Sequence, residues 1–137
     1  MAQDKLSPDV LQLFRDKNLV HVATLMPDGS PQITPTWVDV DETSNVILIN
    51  TAKGRVKQKN LARDPRVAVA VIDRNNPYNV ATVRGRVLEQ TTEGADAHID
   101  RMAKKYLGAD KYPLRNPNEE RILLKIKPEK IFHQKQG

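Results

Sequence analysis

The sequence predicts a mainly β protein with flanking helices, of the α+β class, whose strands form a six-stranded antiparallel sheet. About six segments show the short apolar runs or apolar–polar alternation typical of strands, and three further segments show helical periodicity. The first strands follow one another closely enough to pair as hairpins, which favours antiparallel pairing. Six such strands in 137 residues suggest a small closed or split barrel with the helices packed outside.

The chain begins with a predicted helix and a predicted hairpin. Ser7, Pro8 and Asp9 supply a capping hydroxyl, a proline at the first helical position and a first-turn acid, so a helix begins here and ends near residues 17–18. Residues 19–26 predict a strand, residues 27–30 a turn, and residues 32–40 the second strand. Pro35 cannot donate a ladder hydrogen bond, which indicates a sheet edge, a bulge or backbone facing something other than a strand.

The remaining elements alternate strands with helices. A turn at residues 41–45 leads to a strand over residues 46–49 and then to a basic helix, which Asp64 and Pro65 stop. Residues 66–72 predict a buried strand, residues 73–79 an exposed loop, and residues 80–89 a long strand. Thr91 or Thr92 caps a third helix, a loop follows over residues 107–118, and residues 121–127 form the last strand before a short final segment introduced by Pro128. The third helix buries one face, formed by Ile99, Met102, Ala103 and Tyr106.

Composition indicates one globular domain over residues 1–137. Apolar residues make up 39% and charged residues 28%, which argues against disorder. The chain has no cysteine, so thiolate chemistry is excluded and a reducing compartment, the cytoplasm, is expected. No secretory signal is recognised at the N-terminus, and the longest apolar run, residues 67–72, is too short to span a membrane. The net charge of +5 favours anionic partners.

The most basic stretch of the chain predicts a site for an anion. Residues 46–63 begin as an apolar strand, turn polar at Asn50 and Thr51, and continue as a helical segment with five basic residues and no acid. The unpartnered first-turn N–H groups of a helix and its dipole favour phosphate at that end. Thr51 offers a hydroxyl, Gly54 permits close backbone approach, and Arg55 and Lys57 offer charge-assisted hydrogen bonds. A solvated basic helix face is the alternative interpretation.

Side chains supply no obvious nucleophile, general base or metal site. The three serines lie in cap or turn contexts, and none sits in a nucleophile elbow. His21, His98 and His133 lack ligand spacing, so no metal is expected, and His21 and His98 are expected to be structural or surface residues. The dinucleotide fingerprint and the Walker loop are absent. An enzyme of this kind depends on a bound cofactor, and one that carries phosphate suits the basic stretch.

The order of these signals resembles the flavin reductase-like split β-barrel superfamily that includes pyridoxamine 5′-phosphate oxidases. In detail it is most similar to the branch of small proteins that use the deazaflavin coenzyme F420. The segments that carry the resemblance are H-V-A-T-L-M-P-D-G-S-P-Q-I-T-P-T-W-V at 21–38, N-T-A-K-G-R-V-K-Q-K-N-L at 50–61, D-P-R-V-A-V-A-V at 64–71, G-R-V-L-E at 85–89 and R-I-L-L-K-I-K-P at 121–128. These segments cover nearly the whole chain. Together, in this order, they indicate the family more specifically than any one segment does alone.

The resemblance implies a six-stranded antiparallel split β-barrel that forms a homodimer with two cofactor sites in grooves between the subunits. It implies that Arg55, Val56 and Lys57 surround the cofactor phosphate with Asn60 nearby, at the strand end that carries Asn50 and Thr51. It further implies a ring slot lined by Gln32, Thr34, Pro35 and Thr36. Tyr78 and Asn79 of the partner subunit would cover the cofactor, and Arg121 would meet its acidic tail.

The implied activity is that of an F420-dependent oxidoreductase, in which a hydride passes between the deazaflavin and an unsaturated small-molecule acceptor. The acceptor pocket is expected to involve the loops at residues 73–79 and 107–118. Pyridoxamine phosphate oxidases carry a longer C-terminal region, so that specific activity is not expected.

Three alternatives stay open at this point. FMN needs the same phosphate site and flat ring slot, and the dense basic run only favours the more anionic deazaflavin. A non-catalytic carrier of the same cofactor would have the same sequence features. A basic nucleic-acid-binding module would account for the sequence pI of about 9.6, although the scattered aromatic residues form no base-stacking platform.

Overall fold

Seven strands and three helices make up the protein in the computed structural model, which describes residues 4–135. The helices are α1 (Pro8–Arg15), α2 (Val56–Arg63) and α3 (Ala95–Leu107). The strands are β1 (Val20–Leu25), β2 (Pro31–Thr36), β3 (Asp39–Asp41), β4 (Val46–Ala52), β5 (Arg66–Asp73), β6 (Asn76–Thr91) and β7 (Arg121–Lys135). They form one antiparallel sheet in the order β2-β1-β5-β6-β7-β4-β3.

The sheet is open rather than closed. Over the part of the chain that the structure describes, the edge strands β2 and β3 each pair with one neighbour and not with each other. The prediction of a mainly antiparallel split barrel with flanking helices is therefore confirmed. The interpretation of Pro35 as an edge residue is confirmed too, because it lies opposite His21 of β1 and β2 has no second neighbour.

The predicted number of six strands is wrong, because residues 32–40 form two strands instead of one. β2 ends at Thr36, and β3 begins at Asp39 on the opposite edge of the sheet, paired with β4. Between them the Val38 amide donates to the Tyr106 hydroxyl at 3.1 Å, and Trp37 stacks on the same ring. Contacts with α3 thus replace ladder hydrogen bonds, and a strand pattern in the sequence does not encode such long-range contacts.

The exposed loop predicted over residues 73–79 is also wrong. A two-residue turn at Arg74 and Asn75 joins β5 to β6. The Asp73 carboxylate accepts a hydrogen bond from the Asn75 amide at 2.9 Å, and the Asn18 side-chain oxygen accepts one from the Arg74 amide at 2.9 Å. These two side chains hold the chain in a tight turn, so the strand resumes at Asn76.

The last strand continues past Pro128, where the sequence predicted its end. Pro128 lies opposite Gly85 at a register shift between β6 and β7, and such an irregularity tolerates the missing N–H group. The two strands approach so closely here that a Cβ atom on Gly85 would lie 2.0 Å from the carbonyl oxygen of Lys127. Glycine is therefore required at this crossing.

Two helix ends differ from the prediction. The helix α1 ends at Arg15, before residues 17–18. Gly94 rather than Thr91 or Thr92 precedes α3, because the Thr91 hydroxyl accepts a hydrogen bond from the Glu93 amide instead.

The core is aliphatic, as expected from an aromatic content of 4%. The helix α1 covers it with Val10, Leu11, Leu13 and Phe14, which all lie on its buried face. The sheet contributes Val20, Val22, Ile47, Ile49, Val69, Val71, Ala81, Val83, Leu124 and Ile126. No helix within residues 4–135 is long and apolar enough to cross a membrane.

Candidate functional site

The junction of β4 and α2 forms one end of the candidate site. Gly54 turns the chain there with φ +92°, in the left-handed region that favours glycine, and its amide donates to the Gln58 side-chain oxygen at 2.8 Å. Arg55 occupies the N-cap position of α2, and among the described residues no side chain caps this helix end. The first-turn amides therefore remain available to an anion.

Two polar side chains next to this helix end, Lys57 at the cleft and the fully buried Thr51, lack partners within residues 4–135. Lys57 is only 8% exposed, and nowhere in residues 4–135 does a carboxylate or other acceptor pair with it. Burial, and then repulsion from Arg55 and Arg121, lowers the pKa of Lys57. The Thr51 hydroxyl is the one buried side-chain nitrogen or oxygen in the described chain without a hydrogen-bond partner. Buried polar groups normally have partners, so this pair suits an anionic ligand such as phosphate.

Arg121, at the start of β7, is held in place by three neighbours. Its Nε donates to the Asn50 side-chain oxygen at 2.9 Å, and its Nη1 donates to a Glu119 carboxylate oxygen at 2.8 Å. Its guanidinium carbon lies 5.4 Å from the ring centre of Tyr112, within range of a cation–π contact. The side chain is 8% exposed, so the charge is fixed in one orientation.

Asn50 is oriented in turn by a chain of hydrogen bonds. Its Nδ2 donates to the Ala95 carbonyl at 2.8 Å and lies 3.1 Å from Nδ1 of His98. On the other side of the ring, His98 Nε2 lies 3.1 Å from a carboxylate oxygen of Asp39. Burial raises the pKa of Asp39, but hydrogen bonds from His98 and the Val40 amide outweigh burial and keep this pKa below its ordinary value.

Glu119 is the acidic group beside these cations. Its carboxylate pairs with Arg55 at 3.0 Å and with Arg121 at 2.8 Å. Hydrogen bonds from Arg121, and then from Arg55, lower the pKa of Glu119, so it is ionised at neutral pH. The pairing shows that both guanidinium groups can present N–H donors to the oxygens of one anion.

The cleft that contains these cations also has an apolar, aromatic wall. Trp37 stacks on Tyr106 with ring centres 5.2 Å apart and planes inclined by 4°, and its ring meets Tyr112 edge-on at 6.1 Å. The apolar lining consists of Leu19, Trp37, Ile99, Met102, Tyr112 and Leu114. Such a wall next to fixed cations suits a flat ring that carries an anionic chain.

The structure brings seven of the predicted site residues together around this cleft of about 300 Å³. They are Pro35, Thr36, Asn50, Thr51, Arg55, Lys57 and Arg121. The side chains of Thr34 and Gln32 lie on the same face of β2 as that of Thr36. They are two and four residues farther along the strand from the cleft.

Four other predicted residues lie outside the lining. Val56 is 44% exposed at the start of α2, and Asn60 is buried with its amide donating to Thr24 at 3.0 Å. Tyr78 and Asn79 lie near the start of β6, where Tyr78 is 65% exposed and Asn79 contacts Asp73 and His133. Their predicted role in a partner's site stays a prediction.

The sequence did not reveal the aromatic wall, Glu119, or the role of His98. Trp37 carried a signal, since it directly follows the predicted ring-slot residues Pro35 and Thr36, but its stacking partner Tyr106 is 69 residues away in the chain. Residues 107–118 were expected to contribute to the acceptor pocket, and Tyr112 and Leu114 do line the cleft. Residues 73–79, the other segment expected there, do not line it.

Comparison with known proteins identifies the family. A family model described as pyridoxamine 5′-phosphate oxidase matches residues 6–135. The chain belongs to this family. The predicted resemblance is therefore confirmed. The pyridoxamine 5′-phosphate oxidase family contains oxidoreductases, and its members bind flavin-type cofactors and commonly dimerise.

Several solved structures have a fold similar to that of this chain. A protein described as an F420 reductase shares 28% identity, with a TM-score of 0.77 over 88% of this chain and 94% of the other. A conserved hypothetical protein from Mycobacterium tuberculosis shares 19% identity, with a TM-score of 0.71 over 98% and 89% of the two chains. HupZ from Group A Streptococcus shares 20% identity, with a TM-score of 0.67 over 96% and 98%. The latter two likenesses concern the fold alone.

Proposed function

We propose that the chain is an oxidoreductase that depends on coenzyme F420 and transfers a hydride between the deazaflavin and an unsaturated small-molecule acceptor. The observation that carries this proposal is Lys57, a buried cation that no acceptor within residues 4–135 accompanies, beside the unpartnered hydroxyl of Thr51. An anion is the partner that both groups lack, and phosphate at a helix N-terminus is such an anion. The 28% identity to a protein described as an F420 reductase supports the deazaflavin.

The cationic end of the cleft is assigned to the cofactor's anionic groups. Lys57, Arg55 and Thr51 hold the phosphate together with the first-turn amides of α2, to which Val56 belongs. Arg121, fixed by Asn50, meets the acidic tail. Asn60 supports the position of α2 from beneath, through its bond to Thr24.

The apolar end of the cleft is assigned to the ring system. Pro35 and Thr36 line it, and Thr34 and Gln32 extend the same face of β2. When bound, the deazaflavin supplies the hydride chemistry. The chain orients the ring and excludes water through Ile99, Met102 and Leu114, and the proton comes from solvent or from the substrate.

FMN is the second candidate cofactor, and membership of the pyridoxamine 5′-phosphate oxidase family favours it. Charge distinguishes the two. Arg55, Lys57 and Arg121 line one cleft. Arg55 and Arg121 share the Glu119 carboxylate, and a ligand with more than one anionic group can take the place of that carboxylate as well as pair with Lys57. A cofactor with a phosphate and a tail of glutamates uses this charge more fully.

We also propose a cytoplasmic homodimer of single-domain subunits, with the cofactor in the groove between them. Tyr78 lies outside the cleft of its own subunit and is 65% exposed. It is therefore free to cover the cofactor of a partner subunit together with Asn79.

Direct binding of the two cofactors to the purified protein tests the proposal. Quenching of cofactor fluorescence gives the Kd for F420 and for FMN at low and moderate salt. We expect saturable binding with a preference for F420 that weakens as salt rises. A preference for FMN would move the function to a flavin-dependent oxidase or reductase. Binding of neither would refute the cofactor site, and binding without reduction of any unsaturated acceptor would indicate a carrier.

A further inference from the structure

The hydrogen bonds around His98 determine its tautomer. Arg121 Nε can only donate, and the Ala95 carbonyl can only accept, so the Asn50 amide must direct Oδ1 towards Arg121 and Nδ2 towards Ala95. The second hydrogen of Nδ2 then points to His98 Nδ1, 3.1 Å away. Nδ1 must therefore be the unprotonated, accepting nitrogen. The proton lies on Nε2, which donates to the Asp39 carboxylate at 3.1 Å.

His98 occupies an unusual position for a polar side chain. It is 1% exposed on the buried face of α3, among Ala95, Ile99 and Met102. An apolar side chain would fill this place without the cost of burying a polar group. The imidazole instead connects three strands, since Asp39 lies on β3, Asn50 on β4 and Arg121 at the start of β7.

We infer that His98 is a positioning residue for ligand binding: with Asp39 behind it, the imidazole holds the Asn50 amide in the orientation that presents Arg121 to the anionic end of the cofactor. This inference rests on the proposed function, because Arg121 is assigned there to the acidic tail. His98 itself does not line the cleft and touches neither cofactor nor substrate.

A double-mutant cycle separates positioning from a general structural role. His98→Leu removes the acceptor for Asn50, and we expect F420 affinity to fall about tenfold, the lower end of the effect of one hydrogen bond to a charged group. In an Arg121→Met background the same change should cost less than about twofold, because the residue that His98 positions is absent. Equal losses in the two backgrounds would overturn the inference.

A conservative variant provides the matched control. In His98→Gln the side-chain oxygen can accept from Asn50 while the amide nitrogen donates to Asp39, so both bonds persist without an imidazole. We expect His98→Gln to bind F420 within about threefold of the wild type. A loss as large as that of His98→Leu would contradict positioning through these two bonds.

Two NMR measurements on the free protein test the inference without a cofactor. The ¹⁵N shifts of the wild-type His98 ring must show a bare Nδ1 and a protonated Nε2, and the opposite tautomer would overturn the inference even if His98→Leu fails to fold. The Arg121 Nε–H signal should be protected from exchange with water in the wild type and in His98→Gln, and unprotected in His98→Leu. If wild-type protein binds neither F420 nor FMN, the proposed function fails while these signals still decide the positioning role.

Discussion

Replacing Lys57 with methionine should weaken ligand binding and stabilise the free protein. Methionine has a similar length and fills the same space, but it removes the charge. In the structure the Lys57 side chain is 8% exposed, and its charge is repelled by Arg55 and Arg121. Lys57 therefore lowers the stability of the free protein and has no partner within residues 4–135. A bound anionic ligand would supply that partner.

The size of both effects follows from the surroundings of Lys57. Loss of a hydrogen bond to a charged group costs about 1.5–3 kcal/mol, which corresponds to a Kd for F420 roughly 10- to 150-fold higher. For folding, apolar replacement of a buried ion pair is neutral or stabilising by about 1–4 kcal/mol, and removal of an unpaired, partly desolvated charge should have the same sign. We take the lower end, about 1 kcal/mol, because Lys57 faces the cleft rather than the core.

The stabilisation should depend on pH in a defined direction. Burial lowers the pKa of Lys57 below its ordinary value of 10.5. Below the lowered pKa both the folded and the unfolded state hold the proton, so the wild type carries the full penalty. As pH rises from the lowered pKa towards 10.5 the folded state releases the proton first, and the wild-type free energy of unfolding rises. The advantage of Lys57→Met is therefore largest near neutral pH and vanishes in strong base.

Urea denaturation and fluorescence titration measure the two effects on the same samples. Lys59→Met is the matched control, because Lys59 lies on the same helix and is exposed. We expect the control to change stability by less than about 0.5 kcal/mol and F420 affinity by a few-fold at most, through screened long-range charge. The assignment of Lys57 to the phosphate would be refuted if Lys57→Met bound F420 with wild-type affinity. It would also be refuted if Lys57→Met lost less F420 affinity than the Lys59→Met control.

Three further predictions concern neighbouring contacts. Glu119→Gln removes the carboxylate that competes for Arg55, so F420 should bind about two- to fivefold more tightly, the value of an ion pair at a partly exposed site; weaker binding in the same titration would contradict competition. Tyr106→Phe leaves the Val38 amide, which is fully buried, without its acceptor, and the free energy of unfolding in urea should fall by about 1–3 kcal/mol; an unchanged midpoint would show that another acceptor replaces the hydroxyl. Tyr78→Ala should raise the Kd for F420 while light scattering still reports a dimer, and unchanged affinity would mean that this tyrosine does not cover the cofactor.

Local patterns in the sequence were sufficient for most elements of the fold. The alternation in residues 80–89 and the cap formed by Ser7 and Pro8 reflect interactions within a few residues, and both elements appear in the structure. The break after Thr36 was not predictable in this way. It depends on Tyr106, which is 68 residues from Val38 in the chain, and no local propensity records that contact.

The candidate site shows the same division. Lys57 and Thr51 were recognisable because a strand end followed by a basic helix is a local signal. Glu119 was not, because its significance depends on Arg55, to which folding alone brings it. The sequence predicts only a structural or surface role for His98, since a lone histidine carries no information about the amide that it meets across the fold.

The two residues between β2 and β3 have a consequence for the design of altered specificity. Three peptide links separate Thr36 from Asp39, so the two free edges of the sheet stay within roughly 11 Å of each other. One edge strand, β2, carries Pro35 and Thr36 of the cleft lining, and the other is paired with β4, which carries Asn50 and Thr51. This short linker therefore limits how far the end of β2 can move from the start of β3. We expect a single glycine inserted after Trp37 to let β2 move relative to β3 and so admit bulkier acceptors, without changing the residues assigned to the phosphate.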